Sequence, residues 1–188
     1  MEKHQDGDNR HDESNHSQIH SDSDHQTGYD PHIWLDPLLV KIQAETIKNA
    51  LSEYDPTGAS FYKKNFLHFL SELDQLHIKL KAILAPLQGE SIYVFHPSYG
   101  YFTDVYGLKQ KAIELEGKRP KAKELAQFIK NAKKESVQVI FVQPQFDRNT
   151  ARKIAMSIKS RVVTLDPLAK NYLLNMESMA RKIFSSLQ

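Results

Sequence analysis

The chain has 188 residues, 26% charged and 40% hydrophobic, enough for one domain with a core of its own or one domain plus a helical appendage. Its net charge of +2 conceals an asymmetry: up to Asp30 eight acidic residues stand against Lys3 and Arg10, a net of −6, which leaves +8 for the remainder. With no cysteine there are no disulfides, thiolate zinc sites or cysteine nucleophiles; no apolar run approaches the ~20 residues of a membrane span, and the polar stretch after Met1 does not read as a signal peptide.

Residues 1–29 are nearly devoid of apolar side chains and cannot offset the entropy of ordering, so they are expected to be disordered. His4, His11, His16, His20 and His25 are scattered among aspartates there. A purification tag or solvated linker is the plain alternative to a natural metal-scavenging loop, which would bind weakly and without fixed geometry.

Asp36-Pro37 reads as a helix start, with Asp as N-cap and Pro at the first helical position. Leu39, Val40, Ile42, Ile47 and Leu51 carry that helix to Tyr54-Asp55-Pro56. A second start follows, and Phe66, Phe69, Leu70, Leu73, Leu76, Leu80, Ile83 and Leu87 recur at steps of three and four. This predicts one amphipathic helix over 58–87, on the order of 45 Å long at ~1.5 Å per residue, a strut joining two lobes. His68 and His77 on it read as surface or packing residues.

After Gly89 the pattern changes. Residues 91–95, 111–115, 137–142 and 161–165 read as short buried strands. Helices are predicted between and after them, near 99–106, 120–134, 150–159 and 168–187. Such alternation with short loops implies an α/β fold: a four-stranded parallel sheet with helices on both faces. Ligands bind such sheets beyond the carboxyl ends of the strands. His96 follows the first strand, Gln143 the third and Asp166 the fourth. The Lys-rich faces (Lys121, Lys123, Lys130, Lys133, Lys134) read as solvated helix surface, and without interleaved exposed aromatics no nucleic-acid partner is expected.

Three motifs set a metal-binding side chain beside a proline: Asp30-Pro31-His32-Ile33-Trp34-Leu35-Asp36-Pro37, Phe95-His96-Pro97-Ser98-Tyr99-Gly100-Tyr101-Phe102 and Thr164-Leu165-Asp166-Pro167-Leu168. His96 could equally be a capping histidine, His32 a packed loop residue, and Asp166 the N-cap of the last helix. Together, two imidazoles and a carboxylate suit Zn²⁺; they also suit Mn²⁺, and nitrogen-rich sets favour zinc. Protonated imidazole cannot ligate, and free histidine titrates near pH ~6.5, so binding by such a set should fail in acid. There is no His-Glu-x-x-His, no Gly-x-Ser-x-Gly and no phosphate-cradling loop, which leaves a zinc-dependent hydrolase as a distant rival and no enzyme as the expectation.

Taken in this order, the motifs from Tyr29 to about Met176, with Val137–Phe146 between them, resemble the zinc- and manganese-specific substrate-binding proteins of bacterial ABC importers, which have the TroA-like fold. The resemblance implies two α/β lobes joined by a long rigid helix, with a divalent metal in the cleft, captured outside the cytoplasm and delivered to a membrane permease. It implies His32 and His96 as direct ligands, and Asp166 as the carboxylate position, a direct manganese ligand or a close neighbour of zinc. His96, where manganese members usually carry Glu, and the His-rich segment point to zinc. A manganese- or iron-specific protein or an adhesin of the same fold is the alternative. The chain departs from the pattern in carrying Gln143, where many members have Glu, and in beginning at the His-rich loop.

Residues 30–56 are therefore expected to be the remnant of a first lobe, 57–88 the linking helix and 89–188 the C-terminal metal-binding lobe. The remnant helix is expected to self-associate or to be mobile. The resemblance places such a protein in the periplasm or otherwise outside the cytoplasm, membrane-associated in some relatives.

Overall fold

The computed structural model describes residues 29–114, 121–146 and 148–188. The His-rich tail and its five histidines lie outside the described residues, as do Leu115 and Pro120 at the margins of two predicted elements.

Helix α1 (Pro37–Tyr54) begins as its sequence dictates: the Asp36 carboxylate accepts from the Leu38 N–H at 2.8 Å, with proline at the first turn. A short 3₁₀ turn at Pro56–Gly58 reverses the chain. Asp55 closes it, accepting from the Gly58 N–H (3.2 Å), the Thr57 hydroxyl (2.5 Å) and the Tyr62 phenol (2.9 Å). Helix α2 (Ala59–Leu84) then runs back along α1, on the order of 40 Å at ~1.5 Å per residue. Lys41 pairs with Asp74 at 2.5 Å, and the Lys48 ammonium lies 5.0 Å from the Phe66 ring centre.

Only the second half of α2 is buried, through Leu73, Leu76, Leu80 and Leu84. Along the first half and on α1, Ile42, Ile47, Phe61 and Leu67 each remain more than half exposed. A 3₁₀ turn at Ala85–Leu87 ends the helix where the periodicity ends.

Four parallel strands follow, β1 (Ser91–Val94), β2 (Lys109–Ala112), β3 (Val139–Val142) and β4 (Arg161–Thr164), in the order β2-β1-β3-β4. Helices α3 (Gly100–Val105), α4 (Ala122–Lys134), α5 (Arg148–Ser157) and α6 (Tyr172–Leu187) connect and cover them. Side-chain alternation sorts the core. Ile92, Val94, Val139, Phe141 and Leu165 face α2, α3 and α6, packing on Leu80, Phe102 and Met176. Tyr93, Phe95, Ile140 and Val142 face α4 and α5. β3, central and covered on both faces, is buried at all four residues, as a parallel strand between two helical layers must be.

Several elements start elsewhere than the sequence pattern predicts (β3 at Val139 rather than 137, α5 at Arg148 rather than 150), and for β2 and α6 the cause is visible. β2 lies at 109–112 rather than 111–115, because pairing of Ser91 with Lys109 and of Val94 with Ala112 fixes the register whatever the propensity of Lys-Gln-Lys-Ala. α6 starts at Tyr172 rather than near Leu168. Asp166 closes a tight turn on the Leu168 N–H (3.0 Å), and Asn171 supplies the N-cap.

Candidate metal centre

The strand order reverses between β1 and β3, and the crevice beyond their carboxyl ends is where doubly wound sheets bind ligands. His96 leaves β1 at this point. Its carbonyl accepts from the Gln143 amide at 2.9 Å, and the same nitrogen of Gln143 reaches the Ser98 hydroxyl at 2.8 Å. Gln143, almost fully buried at the end of β3, therefore clamps the His96 turn, while its Oε1 has no partner. Phe146 stacks on the His96 ring, centres 4.6 Å apart and planes 22° apart.

His32 reaches the same place from the segment before α1. Its ring lies 5.4 Å from that of His96, edge to face, with Trp34 5.3 Å away on another side. The two imidazoles are anchored in the same way. His32 Nδ1 lies 2.6 Å from Asp30 Oδ1, and His96 Nδ1 lies 2.9 Å from Glu114 Oε2. A carboxylate on Nδ1 holds the proton there and leaves the Nε2 lone pair available, the arrangement that raises the basicity of metal-ligating histidines. Both rings are mostly covered, with side-chain exposures of 17% and 18%.

Asp30 fits because residue 100 is glycine: a Cβ on Gly100 would stand 2.6 Å from Asp30 Oδ2. Glu114 is 5% exposed, and its backbone N–H extends the β1–β2 pairing to the Phe95 carbonyl at 2.9 Å. Neither carboxylate stands out in the sequence as part of a site. Asp30 was visible as the residue two before His32 in an Asp-Pro-His step. Glu114 carried no local signal, because only strand register brings it to His96.

Asp166, beyond β4, is anchored through its backbone. Tyr99 donates to the Leu165 carbonyl (3.1 Å), Asn175 to the Asp166 carbonyl (2.7 Å) and the Trp34 indole to the Pro167 carbonyl (2.9 Å). Burial pushes the Tyr99 phenol far above its ordinary value, opposed by a bond with Ser98 and reinforced by the Asp166 charge, so it remains a donor. The Asp166 carboxylate accepts at Oδ1 from Gln145 Nε2 (2.9 Å) and from the Leu168 N–H. Among the described residues no three His, Asp or Glu side chains are gathered closely enough to hold a metal ion. The fold thus brings His32 and His96 together, and Asp166 does not join them in a group close enough to hold a metal ion. His68 and His77 are elsewhere: His68 lies 3.9 Å from Glu72 on the α2 surface, and His77 packs against Tyr106.

Fold and site define a class: a doubly wound α/β lobe that presents paired, carboxylate-oriented imidazoles at its sheet's switch point, preceded by a long helix. The family described as ZnuA, zinc-uptake complex component A, periplasmic, matches residues 1–185, and the chain belongs to that family. A high-affinity zinc uptake system protein ZnuA from Haemophilus influenzae is 33% identical over 151 residues, covering 79% of this chain and 45% of the relative. A crystal structure of ZnuA superposes with a TM-score of 0.81 at 43% identity, over 85% of this chain and 62% of that one. A ZnuA deletion mutant with zinc bound gives 0.79 at 43% identity, over 84% and 60%. The chain spans about half the length of the relatives it matches. Among the described residues no helix is long and apolar enough to cross a membrane.

Proposed function

We propose that the chain carries the metal-capturing face of a zinc-binding solute-binding protein serving an ABC importer outside the cytoplasm. Nε2 of His32 and Nε2 of His96 are the two nitrogen ligands. Asp166 is the proposed carboxylate position, reached by the ion only with a shift of the turn after β4, and solvent or a group outside the described residues completes the four-coordinate shell usual for zinc. One observation carries this reading: two histidine rings 5.4 Å apart, each with its Nδ1 on a carboxylate. A two-histidine site favours Zn²⁺ over Mn²⁺, the less favoured cargo.

Binding rather than hydrolysis fits the same geometry, because Asp30 and Glu114 are committed to imidazole nitrogens and neither stands ready as a base for a metal-bound water. The proposal extends to partners: a membrane permease that receives the ion, and a second copy of the chain meeting the exposed apolar side chains of α1 (Ile42, Ile47 and Leu51). Sedimentation that does not change with concentration refutes the last point.

Trp34, the single tryptophan, lies beside His32, so its fluorescence reports on this site. Zinc titration against a competing chelator, read by Trp34 fluorescence, should give a saturable response that His96→Ala and His32→Ala each weaken at least ~10²-fold while tail binding persists. A response indifferent to both substitutions overturns the assignment.

A further inference from the structure

We propose that Gln143 is a positioning residue for metal capture: its amide aims the His96 turn at the ion, at no gain to the stability of the fold. The inference rests on the metal-site reading above. His96, Pro97 and Ser98 form a three-residue turn, closed by the Ser98 N–H on the His96 carbonyl at 2.9 Å. Such a turn has one short-range bond of its own. The second bond to that carbonyl crosses from the end of β3, from Gln143 Nε2 at 2.9 Å.

The amide can face only one way. A carbonyl only accepts, so His96 requires the nitrogen of Gln143 on its side and excludes the oxygen. The two hydrogens of that nitrogen are then spent on the His96 carbonyl and on the Ser98 hydroxyl, 2.8 Å away. Ser98 passes its own hydrogen to the Tyr99 phenol, and Tyr99 donates to the Leu165 carbonyl at 3.1 Å. Gln143, Ser98 and Tyr99 are each 1% exposed. A one-way chain of donors thus runs from β3, through the turn after β1, to the end of β4, and Gln143 heads it. The same direction leaves Gln143 Oε1 buried with no partner among the described residues. A buried acceptor without a donor weakens a fold. What the amide contributes is the placing of His96.

Stability and affinity can therefore be separated at this position. Methionine fills about the same volume and brings no unpartnered oxygen. Without the amide the His96 carbonyl keeps the Ser98 N–H, and Ser98 keeps the Tyr99 phenol, so neither group is stranded. The His96 ring keeps Glu114 on Nδ1 and Phe146 on its face. Only the second hold on the turn is lost.

The test compares the full chain with its Gln143→Met variant. Zn²⁺ affinity is read by Trp34 fluorescence against a competing chelator, and stability by urea melts of the metal-free proteins, with His96→Ala as the control for the site. Gln143→Met is expected to weaken zinc about tenfold while its urea midpoint stays at or above that of the parent. A merely structural role would move both together. Zinc affinity within about twofold of the parent overturns the inference. So does a lowered urea midpoint, or a variant that does not fold, because the amide would then be supporting the fold. A parent response that His96→Ala leaves intact overturns the metal-site reading, and this inference with it; a response that needs His96 but ignores Gln143→Met overturns this inference alone.

Discussion

Replacing Glu114 tests whether the carboxylate behind His96 governs the metal site. Glu114 is 5% exposed, its Oε2 lies 2.9 Å from His96 Nδ1, and its backbone bond to Phe95 does not depend on the side chain. Glutamine keeps an acceptor oxygen and gives up the charge. A hydrogen bond to a charged group contributes ~1.5–3 kcal/mol and a neutral one ~0.5–1.5 kcal/mol, so the loss is about 1–1.5 kcal/mol. That is roughly a tenfold rise in the zinc Kd. Glu114→Leu removes the acceptor altogether, leaves the imidazole free to place its proton on either nitrogen, and is expected to cost ten- to a hundredfold, roughly. Neither change should lower the stability of the metal-free protein by more than about 1 kcal/mol, because each also removes a buried charge. Chelator competition read by Trp34 fluorescence gives the affinities, and urea melts give the stabilities. Parent affinity in both Glu114 variants, with His96→Ala still abolishing the response, refutes the orienting role.

Gly100→Ala should separate site from fold in the same way. Its Cβ displaces Asp30 Oδ2, the free end of a side chain, so stability changes by less than about 1 kcal/mol while zinc affinity falls about tenfold through His32; equal losses in both would refute this. Phe141→Ala, at the centre of the sheet and fully buried, is expected to cost about 3–5 kcal/mol in a denaturant melt, and a cost under ~1 kcal/mol would contradict the packing described. Three carboxylates are held below their ordinary range: Asp55 by bonds from Thr57, Tyr62 and Gly58, Glu135 by Lys111 and Tyr93, and Glu177 by Lys79 and Arg181. Their folded values lie below the unfolded ones, so the stability they lend is present above the ordinary carboxylate range near pH ~4 and is lost as pH falls through the depressed values. Glu135 is exposed and Asp55 and Glu177 are half-buried at the surface, so the loss is small and salt weakens it; metal-free melts between pH 7 and 2 in low and high salt should show an acid decline that begins below about pH 4 and is shallower in high salt.

Much of this architecture could be read from the chain because local and global signals agree. Asp36-Pro37 and the steps of three and four in 66–87 define α1 and α2 by themselves, and the apolar run 139–142 is buried throughout. Register could not be read. β2 is Lys-Gln-Lys-Ala, an edge strand whose place depends on pairing with β1. The candidate site divides along the same line. His32, His96 and Asp166 stand beside prolines where turns are predictable, whereas Glu114 becomes a partner of His96 across 18 residues only once β1 and β2 are in register. The Asp166 turn concealed the start of α6, because an Asp-Pro step can close a turn as readily as open a helix.

The indole bond from Trp34 to Pro167 joins positions 133 residues apart, and the phenol bond from Tyr99 to Leu165 joins positions 66 apart. Contacts of such long reach form only after the intervening chain has collapsed and the outermost strand has been added. The tryptophan therefore acquires its native surroundings at the end of folding, and in a stopped-flow refolding trace its emission would time the completion of the molecule rather than its first compaction.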